Sequence, residues 1–183
     1  AEAPALVAPS RGNVLELSGA EAYVDVPPNL FTNDVVTVES WVRWRDFRRW
    51  SRVFQFSDAR LSISLLNQEA TPQLFFQRWE RPPFAGDQSL NFQLSMERNQ
   101  WVHVATVAGT NFSKVFLNGV ALNLPEVASD WTPPGLISPK NTIGRSAFRE
   151  NGDQDFLGDI AEIRLWAGER SESQILSDRF TRL

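Results

Sequence analysis

The sequence predicts an all-β domain, and three observations support this expectation. About a dozen short apolar runs, separated by Gly, Pro, Asn and Asp, follow one another along the chain. Phe (13) and Trp (7) are abundant whereas Met occurs once, which favours pleated sheets over helices. Asn118-Gly119 between two apolar runs is a strong signal for a hairpin turn. Short strands at this spacing are typical of an antiparallel sandwich or barrel.

Length and composition narrow the class of protein. A chain of 183 residues can form one domain that buries about 70% of its unfolded surface. We expect residues 1–11 to be a flexible tail and residues 12–183 to form the domain. The net charge of -4 argues against nucleic acid as a partner, because that needs a basic surface. Cysteine is absent, which excludes disulfides, and no apolar run approaches the ~20 residues that a membrane span needs.

The amino-terminal part of the chain supplies the first candidate strands in order. The third run, Val35 to Trp44, places valines and Trp44 on one face and Trp41 on the other, as in a central strand buried on both faces. Pro27 ends the run before it. The candidate strands here are residues 14–17, 22–26, 35–44, 52–57, 60–66, 73–79 and 91–96.

The carboxyl-terminal part continues the pattern and ends in a helix. Candidate strands are residues 101–109, two runs around Asn118-Gly119, 141–145 and 156–166. In the last run, strict alternation puts Ile160 and Glu162 on one face and Ile163 on the other. Ser171 is the expected N-cap of a short helix, and Gln174 completes a capping box.

Four segments, in this order, resemble the laminin-G-like and pentraxin-related jelly rolls of the concanavalin-A-like class. They are residues 13–27, 35–44, 100–120 and 142–175. The third contains a Trp-Val-His-Val strand and a hairpin with Phe-Leu-Asn-Gly. The fourth contains Ile-Gly-Arg, a polar loop and Phe-x-Gly-x-Ile-x-Glu-Ile-Arg-x-Trp before a helix. The resemblance implies a two-sheet antiparallel jelly-roll sandwich with a short C-terminal helix.

The same resemblance bears on function. Such domains are mostly binding or spacer modules of larger extracellular proteins, which implies a secreted or cell-surface location. The fold class also includes glycosidases and polysaccharide lyases. The jelly-roll glucanases carry Glu-x-Asp-x-x-Glu or a close variant on one strand, and this chain has no such string. We therefore expect a non-catalytic carbohydrate-binding or adhesive module whose partner is a glycan or a cell-surface protein. A structural or protein-interaction spacer is the alternative, and a glycosidase or lyase is a third.

Two aromatic and arginine clusters and one loop tryptophan are the candidate ligand contacts. Arginine beside aromatic rings suits planar sugars, sulfates or carboxylates, through bidentate hydrogen bonds and cation–π contact. A hairpin tip of solvated arginines is the alternative for the first cluster, which contains Arg48, Arg49 and Trp50. The loop tryptophan lies in a Pro-rich segment, where it either stacks on a sugar ring or caps the sandwich. The candidates are Arg48, Arg49, Trp50, Arg78, Trp79, Arg81 and Trp131.

A dense acidic loop is the candidate metal site. Calcium takes six to eight oxygen ligands, usually including several carboxylates. Some relatives of this fold hold calcium at the rim of the sandwich, so a structural calcium ion is the cofactor hypothesis. A solvated acidic loop is the alternative, and this chain has Ala20, Glu21 and Ala22 where metal-holding relatives carry an Asp pair. The candidate ligands are Glu150, Asp153, Asp155 and Asp159, joined by Glu21 from the amino-terminal strands.

Overall fold

Short antiparallel strands dominate the computed structural model, which describes residues 13–57, 61–80, 90–110, 112–122 and 140–181. The strands of this part of the chain are β1 (Val14–Ser18), β2 (Val24–Val26), β3 (Val36–Trp44), β4 (Arg52–Ser57), β5 (Leu61–Asn67), β6 (Gln73–Glu80), β7 (Leu90–Ser95), β8 (Val102–Ala108), β9 (Ser113–Leu117), β10 (Val120–Ala121), β11 (Lys140–Ile143) and β12 (Leu157–Trp166). One α-helix, α1 (Glu172–Asp178), follows β12. Each apolar run of the sequence therefore corresponds to a strand.

The strands form two six-stranded sheets. The first sheet has the order β1-β12-β3-β8-β9-β10, and the second has the order β2-β11-β4-β5-β6-β7. The chain crosses between the sheets several times, so that β1 and β2, or β2 and β3, lie in different sheets. This topology confirms the two-sheet antiparallel jelly-roll sandwich.

The core lies between the two sheets and follows the period-2 alternation of the strands. From β3, Val36, Val38 and Trp44 join the core cluster, whereas Trp41 lies on the opposite face. Phe54 from β4 also belongs to the core cluster. Because β3 is covered on both faces, its residues are buried almost without exception, as the sequence predicts.

The hairpin and the helix cap also agree with the sequence. Asn118 and Gly119 have φ values of 54° and 86°, the left-handed conformations that a type I′ turn requires. The Ser171 hydroxyl accepts a hydrogen bond from the Gln174 N–H, and the Gln174 side chain accepts one from the Ser171 N–H. This capping box starts α1, whose Ile175 is buried in a second, smaller apolar cluster with residues of β8 and β9.

A β-bulge in β12 contradicts the strict alternation expected there. The pairing of β12 with β3 shifts between Ala161 and Arg164, and Glu162 has a φ of 53°. A bulge inserts one extra residue and changes which face the following side chains occupy. Ile160 and Ile163 consequently both pack against the core, instead of lying on opposite faces.

Two sequence-based expectations concern the ends and the environment of the domain. Residues 1–11, the expected tail, lie outside the described residues, so the tail and the domain boundary stay predictions. None of the described helices is long and apolar enough to cross a membrane.

Candidate functional site

A cleft of about 280 Å³ lies on the outer face of the second sheet. Its floor comes from the start of β4 and from β6, and one wall comes from the loop between β11 and β12. Aromatic rings and amides make up most of the lining, together with one arginine and one carboxylate. The lining residues are Trp50, Arg52, Gln77, Trp79, Phe148, Asn151 and Asp153.

Alternation along β6 decides which of its residues reach this cleft. Leu74 and Phe76 point inward and belong to the core cluster. Gln77 and Trp79 lie on the opposite face, since side chains of a strand alternate, and both line the cleft. Trp79 is held by an edge-to-face contact with Phe148, whose ring centroid is 5.6 Å away.

Arg78 does not belong to this surface, although the sequence placed it beside Trp79 as a ligand contact. It points inward and is only 1% exposed. Its Nη1 donates to the carbonyl oxygens of Gly109 (2.7 Å) and Phe112 (2.9 Å). Burial lowers the pKa of the guanidinium to about 10. The expectation that Arg78 contacts a ligand is corrected accordingly: Arg78 bridges the two sheets because its position in the strand faces the interior.

Trp50 reaches the cleft from a tight turn that precedes β4. Its φ of 48° is unusual for a residue with a side chain. The indole Nε1 donates to the Glu69 carboxylate at 2.9 Å. The indole ring packs edge-to-face on Phe75 with centroids 5.7 Å apart. These contacts fix the orientation of the ring at one end of the cleft.

The wall of the cleft is a loop bonded to the second sheet. The Ala147 N–H donates to the buried Gln55 side chain at 2.7 Å. The Ser146 hydroxyl donates to Asp153 Oδ2 at 2.7 Å. Asn151 ends a short 3₁₀ turn (Arg149–Asn151), which brings its side chain to the cleft. Within the loop, the Phe148 N–H donates to the Ser146 hydroxyl and the Asn151 N–H donates to the Phe148 carbonyl oxygen, both at 2.9 Å, and these bonds position the two residues at the cleft.

A buried ion pair joins the floor to the wall. Arg52 Nη1 contacts Asp153 Oδ2, and the two side chains are only 4% and 8% exposed. The same Nη1 donates to the Trp50 carbonyl oxygen at 2.8 Å, and Nη2 donates to Gln77 Oε1 at 3.4 Å. Burial lowers the pKa of Arg52, while the charge of Asp153 opposes that change. The guanidinium also lies over the Phe148 ring, 5.3 Å from its centroid.

Arg48 and Arg49 lie near Trp50 in sequence but make other contacts. Arg48 Nη1 donates to the Gly19 carbonyl oxygen. Arg49 Nε donates to the Glu69 carboxylate at 3.0 Å, and its Nη1 donates to the Asn151 carbonyl oxygen at 3.1 Å. Both guanidiniums thus bind groups of the protein, and neither lines the cleft.

Two of the candidate metal ligands, Glu21 and Asp155, share a pair of arginines. Asp155 is buried, and its Oδ2 accepts from the Glu21 N–H at 3.0 Å. The Nε atoms of Arg149 and Arg145 lie 3.5 Å and 3.6 Å from Asp155 Oδ1. Hydrogen bonds from Arg149 and then Arg145 lower the pKa of Glu21. The negative charges are therefore balanced by arginine.

The remaining candidate ligands lie elsewhere. Asp159 is buried on β12, where it is paired in register with Glu16 of β1 in the first sheet. It accepts hydrogen bonds from Arg43 Nε (2.8 Å) and Arg45 Nε (3.1 Å), and its hydrogen bonds raise the pKa of Arg45. Glu150 is exposed in the 3₁₀ turn, and Asp153 lies in the cleft.

This arrangement does not fit a calcium ion. Calcium needs six to eight oxygens around one point, whereas four of the five candidate carboxylates bind arginine in three separate places: Glu21 with Asp155, Asp153 in the cleft, and Asp159 on β12. Among the described residues, no group of three or more His, Asp or Glu side chains could hold a metal. Arginine neutralises the acidic loop in this structure, and thermal unfolding with calcium and with EDTA tests the calcium hypothesis.

The sequence identified part of the cleft and missed the rest. Trp50 and Trp79, from the two separate clusters, meet at one cleft. Arg81 and Trp131 lie outside the described residues. Gln77 and Phe148 were not singled out, although the alternation of β6 contained the signal for Gln77.

The fold and the cleft define a jelly-roll domain with an aromatic groove on one sheet. The chain belongs to the concanavalin A-like lectin/glucanases superfamily, whose laminin G-like model matches residues 18–176. The predicted family is thereby confirmed. Comparison with curated proteins finds no match.

Solved structures share this architecture. One is domain 4 of AbnA, an extracellular GH43 arabinanase from Geobacillus stearothermophilus, in complex with arabinotriose (TM-score 0.74, 21% identity, 93% of this chain and 78% of that chain). Another is a putative carbohydrate binding protein from Bacteroides ovatus (TM-score 0.65, 19% identity, 84% and 43%). A third is the LG4-5 pair of mouse laminin alpha1 (TM-score 0.66, 15% identity, 91% and 45%). The chain spans less than half of the last two, and at these identities the likeness establishes the fold alone.

Proposed function

We propose that this chain is a non-catalytic carbohydrate-binding module and that the cleft on the second sheet is its binding site. One observation carries the proposal: Trp50 and Trp79, from distant parts of the sequence, line the same cleft together with amide groups. Aromatic rings provide the apolar faces on which sugar rings stack, and a few placed polar groups give orientation.

The polar lining supports binding rather than hydrolysis. Glycosidases of the common kind need two carboxylates that flank the bond to be cleaved. Within the described lining, Asp153 is the one carboxylate, and it is bonded to Arg52 and Ser146. Such a carboxylate can accept hydrogen bonds from hydroxyl groups, and in the described lining no second carboxylate stands beside it to share acid and base roles.

Two of the structural relatives agree with this proposal through what they bind. The AbnA domain was solved with arabinotriose, and the Bacteroides protein is described as carbohydrate binding. By analogy with the extracellular arabinanase, we also propose a secreted or cell-surface location, with a glycan or a glycosylated surface protein as the partner. Protease treatment of intact cells that express the full-length protein would test that location.

Affinity electrophoresis tests the binding function directly. We expect the wild-type chain to be retarded by at least one of a panel of soluble polysaccharides comprising arabinan, xylan, mixed-linkage glucan, polygalacturonate and dextran sulfate. Trp79→Ala removes a stacking ring and should weaken retardation about tenfold, a loss of about 1.4 kcal/mol. Phe180→Ala is the matched control, because Phe180 is an exposed aromatic residue outside the cleft.

Two outcomes would contradict the proposal. One is the absence of retardation on every polysaccharide, which would favour the spacer alternative. The other is retardation that Trp79→Ala leaves unchanged, which would place binding elsewhere. Release of reducing ends or unsaturated sugars from the same polysaccharides, lost in Asp153→Asn, would instead show an enzyme.

A further inference from the structure

We infer that the cleft accepts an uncharged glycan as an extended chain, rather than an anionic glycan or a single terminal sugar. This inference rests on the proposed function and adds the substrate class. Its first support is the charge of the site. In the part of the lining that the structure describes, the charged side chains are Arg52 and Asp153, and they contact each other. Their charges cancel within the site.

The cleft arginine is buried, and several of its donors are bonded to the protein; Nε has no hydrogen-bond partner among the described residues but is not accessible to solvent. Arg52 Nη1 binds both the Trp50 carbonyl oxygen and Asp153, and Nη2 reaches Gln77. Because the Arg52 side chain is only 4% exposed, a sulfate or carboxylate would have to displace Gln77 or Asp153 to make a bidentate contact. In either case the Asp153 carboxylate stays in the same small cleft as the anion and repels it. Anionic glycans are therefore disfavoured.

The neighbouring arginines do not change this balance. Arg49 binds Glu69 and the Asn151 carbonyl oxygen, and Arg48 binds the Gly19 carbonyl oxygen. Glu69 also accepts from the Trp50 indole, so one carboxylate serves two donors at the rim. The groups that surround the cleft thus satisfy one another without an external anion.

Hydroxyl groups suit the remaining polar atoms. Both hydrogen bonds that described side chains make to the Asp153 carboxylate end on Oδ2, and Oδ1 is the oxygen that we assign to a sugar hydroxyl. The amide side chains of Gln77 and Asn151 line the same space. An amide offers both donors and an acceptor, which matches the dual character of a hydroxyl group.

The positions of the two tryptophans indicate an extended chain. Trp50 packs on Phe75, and Trp79 lies four residues further along β6 on the same face. At about 3.3 Å per residue, this separation is about 13 Å along the strand. This is the spacing of Phe75 and Trp79, and Trp50 lies at the Phe75 end of it, so the two indoles lie toward opposite ends of the cleft. We therefore expect a ligand that contacts both rings to be a chain of linked sugars rather than a single one.

A glycan array with matched length series tests the inference. The probes are linear neutral oligosaccharides of arabinose, xylose, glucose, galactose and mannose, from mono- to hexasaccharide, and oligogalacturonates, oligoalginates and sulfated dextrans of the same lengths. We expect a neutral series to bind, with trisaccharide affinity about tenfold or more above monosaccharide affinity. Trp50→Ala should remove most of that gain. Raising the NaCl concentration should change neutral binding little, because no net charge is involved.

The possible failures are distinguishable. If an anionic series binds best and Trp79→Ala abolishes it, the inference is wrong although the proposed function stands. If the monosaccharide binds as well as the longer chains, the extended mode is wrong. If no glycan binds, the proposed function fails and the inference fails with it.

Discussion

Removal of one partner from the buried Arg52–Asp153 pair should destabilise the domain strongly. Both side chains are less than a tenth exposed, so water cannot replace the lost partner. Breaking such a pair typically costs about 3–5 kcal/mol, because a buried charge is left uncompensated. In Asp153→Ala, Arg52 keeps its hydrogen bond to the Trp50 carbonyl oxygen. We therefore expect the lower end, about 3 kcal/mol.

Thermal and urea unfolding measure this loss. For a domain of this size, about 3 kcal/mol lowers Tm by about 6–12 °C. Arg52→Met and the double variant complete a mutant cycle, in which the double variant should lose about 1–3 kcal/mol less than the sum of the single losses. Glu169→Ala is the control, since its partner Lys114 and Glu169 itself are 49% and 41% exposed. Exposed pairs contribute about 0–1 kcal/mol.

Two results would refute the reasoning. If the losses of the two single variants simply add in the double variant, the two side chains are not coupled. If Asp153→Ala is no less stable than Glu169→Ala, burial does not make this pair important. Because Asp153 also anchors the wall of the cleft, the same variant should weaken glycan binding, which links the stability measurement to the site.

Four further predictions concern residues and conditions outside this pair. Arg78→Met should lower the free energy of unfolding by about 1–3 kcal/mol, because buried carbonyl oxygens lose their donor. Glycan affinity should stay the same, and a changed affinity would contradict the inward position of Arg78. Gly158→Ala should destabilise the fold, because the added Cβ would approach a backbone oxygen of β3 at 2.4 Å, and an unchanged Tm would contradict that close approach. Hydrogen bonds from Arg149 and Arg145 lower the pKa of Glu21 from 4.5. The stabilisation of the fold by ionised Glu21 is therefore present above pH 4.5 and is lost as the pH falls further. Wild type and Glu21→Gln should consequently differ in Tm at neutral pH and have similar Tm values in acid. An equal Tm difference at neutral and acid pH would contradict the pairing of Glu21 with the two arginines. Addition of calcium or EDTA should leave Tm unchanged, since a bound ion would raise it by mass action, and a calcium-dependent rise would establish the metal site.

The strands could be predicted from the sequence because each carries its own signal. Apolar runs and turn residues located β4 and β6 to within a residue or so, and Asn118-Gly119 identified its hairpin. The bulge in β12 had no such signal. Its extra residue, Glu162, takes a positive φ through its pairing with β3, a long-range cause that local alternation does not contain.

The cleft was harder to predict because its parts meet only through topology. Trp50 and Trp79 come together because β4 and β6 both flank β5 in one sheet, an order that spacing along the chain does not give. The wall depends on Arg52 and Asp153, which are 101 residues apart in sequence. The inward position of Arg78 could have been predicted from the sequence, because period-2 alternation along β6 places Arg78 and Trp79 on opposite faces of the sheet.

The arginine clusters that suggested ligand binding in the sequence have another role in the structure. Arg52 pairs with Asp153, Arg43 hydrogen-bonds Asp159, and Arg149 lies beside Glu21. Arg43 and Arg52, which flank the Arg48–Trp50 candidates in sequence, therefore neutralise Asp159 and Asp153 across distant elements, whereas Arg149 lies in the acidic loop itself. Once these charges are paired, the groups left to meet a ligand are the aromatic rings and the amides. A surface of that kind selects its partner by shape and hydroxyl pattern rather than by charge, so affinity that falls steeply with salt would contradict this assignment of roles.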